Sequence, residues 1–315
     1  MGCRLLVLLC LLLPAWAADY PAGPVGKVEV VLQTWHDTAR DRDLPIKIYR
    51  PEGAGPFPVV LFSHGLGGSR EGGRLWGNYW AEHGLMAIHL QHPGSDQAVW
   101  QEAQGSRFGA LKSAASAKQL QARVADVRFT LDELARRKAG KDPLAVLADT
   151  AHVGMSGHSF GAVTTQSVAG ERFPLFGARM SEPRLVAFLA FSPSARGNAD
   201  ASFGAIERPF FSITGTEDAD PLGSGLTPAD RLKPFAAMPK GGKYLLLLTG
   251  RNHMFFGGDH AAVAGSVEAR QQALVMQTSL AFWRATLQGD EAARAWLRDG
   301  AIQQAGAAEA RLESK

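Results

Sequence analysis

Residues 157–161, Gly-His-Ser-Phe-Gly, set a serine between two glycines in the pattern G-x-S-x-G. A serine so placed does nucleophilic chemistry when the chain runs strand, sharp turn, helix. The turn strains the serine backbone and lifts Oγ clear of the sheet, and the glycines let strand and helix pass closely. The context fits: residues 151–156 read as a strand and residues 162–169 as a helix. The helix N-terminus also favours negative charge developing nearby. A hydroxyl is a weak nucleophile at neutral pH. It needs a base to take its proton and an acid to orient that base.

In this strand–turn–helix arrangement the acid and then the histidine follow the serine in sequence. Residues 210–214 read as a strand ending in the turn Gly215-Thr216-Glu217-Asp218, with Asp220 just beyond. Residues 244–249 read as another strand, followed by Arg251-Asn252-His253. Both groups lie past the C-terminal ends of strands, where open parallel sheets bind ligands. His253 is therefore the expected base. Of the other histidines, His260 lies beyond the Gly257-Gly258-Asp259 turn, and His36, His83 and His152 fall at the wrong ends of elements. His89 and His92 precede the serine, and His158, adjacent to it, cannot fold back onto it.

The run Ser63-His64-Gly65-Leu66-Gly67-Gly68 follows an apolar strand. Its glycines let the backbone turn, so that the Leu66 N–H joins the Phe160 N–H in an oxyanion hole. His64 positions that loop and is not expected to act as a base. Phe160, Met254 and Phe255 neighbour the proposed reacting groups and would wall a tight apolar pocket for a small acyl group, or else pack the core. Of the carboxylates, Glu217 would leave an extended chain on the side opposite Asp218, and Asp220, before Pro221, would cap its own loop.

Short apolar runs at 58–63, 85–90, 151–156, 185–191, 210–214 and 244–249 alternate with helical stretches, notably 117–137 and 264–287. Segments 28–35 and 44–50 read as a hairpin. This alternation predicts an α/β protein with a mostly parallel eight-stranded sheet, the first two strands antiparallel, and helices on both faces. The interval 94–121 is long for a loop. It carries Trp100 and Phe108 and is expected to form a cap over the strand ends with those rings towards the substrate; the alternative is a surface excursion.

The 315 residues carry 33 basic and 30 acidic side chains, a net charge of +3, with no basic face of the kind nucleic acid requires. No paired histidines at metal spacing and no dinucleotide or phosphate glycine fingerprint occur, so neither metal nor cofactor is expected. Arg4, the apolar run 5–13, Pro14 and Ala15-Trp16-Ala17 have the form of a secretory leader cleaved after residue 17, implying export to the periplasm or beyond. The run is short of the roughly 20 apolar residues that span a bilayer, so no membrane anchor is expected. Leu9 before Cys10 argues against lipidation. Cys3 and Cys10 both fall in the leader, leaving residues 18–315 as one expected domain without disulfide or thiol chemistry.

Taken together, Phe62-Ser63-His64-Gly65-Leu66-Gly67 and Gly157-His158-Ser159-Phe160-Gly161 resemble the platelet-activating-factor acetylhydrolase branch of the α/β-hydrolases and its relatives in the dienelactone-hydrolase superfamily, over roughly residues 28–287. Asp218 matches that family's Gly-x-x-Asp form, which selects it as the acid, and His253 falls where the family keeps its base. The resemblance implies hydrolysis of esters with short or oxidised acyl chains without a metal. Dienelactone hydrolases use a cysteine where Ser159 stands, and Ala162 replaces a family glycine. A peptidase or amidase on the same fold, or a binding protein that has lost catalysis, are the alternatives.

Overall fold

The computed structural model describes residue 20 and residues 22–174, 177–299 and 308–315. The leader expected over residues 1–17, with both cysteines, lies outside the described residues. In chain order the elements are β1 (Val28–Asp37), β2 (Arg42–Pro51), β3 (Phe57–Ser63), α1 (Arg74–Glu82), β4 (Met86–Leu90), α2 (Ala98–Gln101), α3 (Arg107–Ala114), α4 (Ala117–Ala139), β5 (Ala148–His158), α5 (Phe160–Ala169), β6 (Leu185–Phe191), α6 (Ala199–Phe203), β7 (Phe210–Glu217), α7 (Pro228–Ala237), β8 (Lys243–Asn252), α8 (Val267–Leu287), α9 (Glu291–Arg298) and β9 (Ala310–Ser314).

The strands form one sheet in the order β1-β2-β4-β3-β5-β6-β7-β8-β9. Every neighbouring pair from β4 through β3 to β8 is parallel, while β1–β2, β2–β4 and β8–β9 are antiparallel. The unbroken apolar character of β3 has a simple cause. Val60 and Phe62 enter a core beneath α1, α8 and α9, whereas Val59 and Leu61 enter a second core beneath α4, α5 and α6. A strand covered on both faces has no polar side to show. The described sheet thus has nine strands rather than eight. The one the sequence reading passed over, β9, has only five residues, and Arg311 and Glu313 alternate with the buried Ala310 and Leu312.

Three strands run further than their apolar cores suggest. β5 continues to His158, β7 to Glu217 and β8 to Asn252. Each therefore delivers the next residue, Ser159, Asp218 or His253, directly at the sheet edge. No described helix is long and apolar enough to cross a membrane.

Candidate active site

Ser159 has φ 58° and ψ −114°, a conformation an L-residue adopts only under strain. The strain follows from crowding. A methyl group added at Gly161 would lie 1.9 Å from the Ser63 carbonyl oxygen, and one at Gly157 would lie 2.4 Å from the Gly161 oxygen. Only glycine lets β5, the turn and α5 pass β3 this closely. Ser159 occupies the N-cap of α5 yet makes no cap hydrogen bond, whereas Ser116 and Ser266 cap α4 and α8 with their side chains. The Ser159 hydroxyl is turned elsewhere.

It turns to His253, whose Nε2 lies 2.8 Å from Ser159 Oγ, and whose Nδ1 lies 2.7 Å from Asp218 Oδ1. A carboxylate only accepts, so Nδ1 carries the ring proton and Nε2 is free to receive the serine proton. The pairing of Glu217 with Asn252 in neighbouring strands sets Asp218 and His253 side by side. Gly215 permits it, since a methyl group there would meet the Arg251 carbonyl oxygen at 2.1 Å. Asp218 is fully buried and accepts from Thr214 Oγ1 at 2.7 Å, with Arg231 Nε 3.4 Å from its Oδ1. Burial works to raise the Asp218 pKa, but the bond from His253 and the Arg231 charge overcome it and hold the carboxyl below its ordinary value. Glu217 is exposed, Asp220 accepts from the Ser224 amide, and His260 is an exposed neighbour of Arg74.

Ser159 opens on a cavity of about 400 Å³, whose walls include Leu66, Gly67, His158, Asp220, Met254 and Asp259. That size falls within the usual range for small-ligand sites, roughly 300–1,000 Å³. The loop after β3 lies against the serine; a methyl group at Gly65 would be 3.4 Å from Ser159 Cβ. Neither the Leu66 nor the Phe160 amide donates to another described residue. Met254 lines the cavity and is 65% exposed. Phe255 does not share that wall; it lines a neighbouring cavity of about 320 Å³. The cause is the 3-10 turn His253–Gly257, in which consecutive side chains diverge by about a third of a turn. The half-buried Phe160 ring packs against the second core under the Arg123 guanidinium, 4.5 Å away, and Phe160 is not among the residues walling the cavity.

No family model matches the chain, and no curated protein matches it.

Segment 94–121 contains α2 and α3 and backs the loop after β3. Gly67 N–H donates to Ser95 O, Gln97 N–H to Gly68 O, and Trp100 Nε1–H to Gly67 O at 2.8 Å. Neither Trp100 nor Phe108 is among the residues walling the cavity, and Phe108 faces solvent.

A second serine–histidine–aspartate line lies nearby. Ser63 Oγ is 2.7 Å from His92 Nε2, and His92 Nδ1 is 2.9 Å from Asp126 Oδ2. Its distances match the first line, but its setting does not. All three residues are fully buried, Ser63 closes β3 without the positive φ of Ser159, and Arg40 and Arg42 occupy Asp126. Burial, aided by the Arg123 charge, pushes His92 down to about 4. This line is scaffold. Sequence reasoning missed Asp126, Arg123 and Arg231. For the first two a signal existed, because they interrupt the apolar stripe of α4 formed by Leu120, Val124, Val127 and Leu131. It also missed that His158 Nε2–H holds the His253 carbonyl at 3.0 Å.

Proposed function

We propose that this chain is an exported serine hydrolase of the α/β-hydrolase fold that cleaves carboxylic esters with small acyl groups. The observation that carries the reading is the line of hydrogen bonds from Ser159 through His253 to Asp218, opening on a cavity at the serine. Ser159 Oγ attacks the ester carbonyl carbon as its proton passes to His253 Nε2. The negative charge that develops on the carbonyl oxygen is met by the N–H groups of Leu66 and Phe160. His253 then returns the proton to the departing alkoxide, leaving an acyl group on Ser159, and water repeats the sequence to release the acid. Asp218 keeps the imidazole in the tautomer this requires.

The resemblance at residues 62–67 and 157–161 supports the fold-family assignment, as do the parallel sheet and the strained serine between β5 and α5. The leader pattern of residues 1–17 supports export. The modest cavity supports a small acyl group, because a pocket that excludes a methylene discriminates by about 1–3 kcal/mol.

A fluorophosphonate probe should label wild-type protein on Ser159, and p-nitrophenyl esters should be hydrolysed with rates that fall beyond roughly four to six acyl carbons. Ser159→Ala should abolish labelling and lower turnover by on the order of 10⁶ while the protein stays folded. Wild-type protein that neither labels nor turns over any ester would falsify the proposal, and rates rising steadily to long chains would redirect it towards lipids.

A further inference from the structure

We infer that His64 and Arg123 are positioning residues that aim the Leu66 N–H at the reacting oxygen by gripping the opposite side of the Gly65–Leu66 peptide. The inference rests on the ester-hydrolase reading and deepens it.

The argument begins with peptide geometry. The Gly65–Leu66 bond is trans, so its C=O and N–H point in opposite directions, and fixing one fixes the other. Behind the loop, the Gly65 oxygen lies 2.6 Å from His64 Nδ1, 3.1 Å from the Gly68 amide and 3.5 Å from Arg123 Nη2. The His92 amide donates to His64 Nε2 at 3.0 Å, so the His64 proton resides on Nδ1 and His64 is the donor to Gly65. The Leu66 N–H must therefore face away from these donors, and Leu66 lines the cavity at Ser159.

Arg123 reaches the same loop from α4. Its Nη1 donates to the His64 carbonyl at 2.7 Å and its Nε to Ser95 Oγ at 2.8 Å, while Ser95 O in turn receives the Gly67 amide. The guanidinium also lies over the Phe160 ring. One fully buried side chain thus touches Phe160 and the Gly65 oxygen, which is the far end of the peptide that carries the Leu66 amide. It makes no salt bridge among the described residues; its donors go chiefly to carbonyl and hydroxyl oxygens of the loops, and Nη2 also lies 3.3 Å from His64 Nδ1. Misaiming a donor of this kind acts only once charge has developed on the substrate. Its loss therefore appears in turnover and in binding of a charged tetrahedral adduct, not in ground-state affinity.

The test measures kcat and KM on a short ester, together with affinity for a trifluoromethyl ketone, which forms a tetrahedral adduct on Ser159. Arg123→Met and His64→Ala should each lower kcat about 10- to 100-fold, less than the full loss of an oxyanion donor. KM should stay within about twofold, and ketone affinity should fall in step with kcat/KM. His64→Asn, whose amide can still reach the Gly65 oxygen, should recover most of the loss seen in His64→Ala. If Arg123→Met does not fold, the two His64 variants decide. Folded variants with unchanged kcat, or a fall in kcat without the parallel fall in ketone affinity, overturn the positioning role. Wild-type protein inert towards esters and the ketone overturns the underlying reading as well.

Discussion

Glu217, Asp218 and Asp220 crowd the end of β7, and only one of them reaches the imidazole. Asp218 is buried against His253, Glu217 points to solvent, and Asp220 is committed to the Ser224 amide at the cavity rim. Asp218→Asn should cut turnover about 10⁴-fold, the cost of an imidazole held in the wrong tautomer. Glu217→Gln should change kcat by less than about twofold, while Asp220→Asn should act mainly on KM. Steady-state kinetics of the three variants on one short ester checks this, and a collapse at Glu217 or Asp220 with normal turnover at Asp218 contradicts it. The positions of Ser159, Asp218 and His253 were legible because each follows a strand-like run that ends in turn residues. Arg231 was not, because a charged residue in a helix ordinarily reads as a solvated face, and Arg123 left only its break in the apolar stripe of α4 as a sign. Nor was the absence of Phe255 from the wall that Met254 lines at Ser159, which depends on the turn His253–Gly257 and leaves no trace in composition.

Among the elements, the β7–β8 pair carries a strict requirement of its own. Gly215→Ala would drive a methyl group onto the Arg251 backbone oxygen, which can yield only if the two strand tips part. That substitution should lower both melting temperature and kcat. Gly140→Ala, at the end of α4, meets its nearest atoms at 3.5 Å and should leave both near wild type. Equal effects at the two sites would show that the strand tips tolerate separation. The sequence reading of residues 94–121 as a cap, with Trp100 and Phe108 towards the substrate, missed what the tryptophan does: its indole bonds to the Gly67 carbonyl. A tryptophan in such a segment does not reveal by spacing which of two nearby surfaces it will cover, and β9 was hidden for the related reason that five alternating residues look like a loop.

Across the whole molecule, buried histidines set the response to acid. Burial pushes His89 and His158 to about 3 and His92 to about 4, and holds His64 well below its ordinary value. An unfolded histidine takes up a proton near pH 6.5. Above that pH the stability these groups contribute is fully present; as pH falls below it the unfolded chain gains protons the folded one refuses, and stability is lost until the folded values are reached. Each group works at about 1.4 kcal/mol per pH unit within that window. Glu171, pushed by burial to about 8, acts with the opposite sign over part of the same range, its contribution growing as pH falls from 8. Four histidines outweigh one carboxyl, so the melting temperature should drop steeply from pH 6.5 to 5. A flat profile over that interval, followed by scanning calorimetry, would contradict the burial of these rings.

The site is assembled from the tips of β3, β5, β7 and β8. His253 meets Ser159 across 94 residues and Asp218 across 35. Contacts so distant along the chain cost loop-closure entropy before they return anything, and they form late in folding. No partly folded species that lacks the packed sheet can bring the three groups together. During refolding from denaturant, ester hydrolysis should therefore reappear with the final burial of the tryptophans and never ahead of it. An early burst of activity before tryptophan fluorescence reaches its native value would mean the site can form without its scaffold. The proposed nucleophile, poised in strain, would in this way stay silent until the molecule around it is finished.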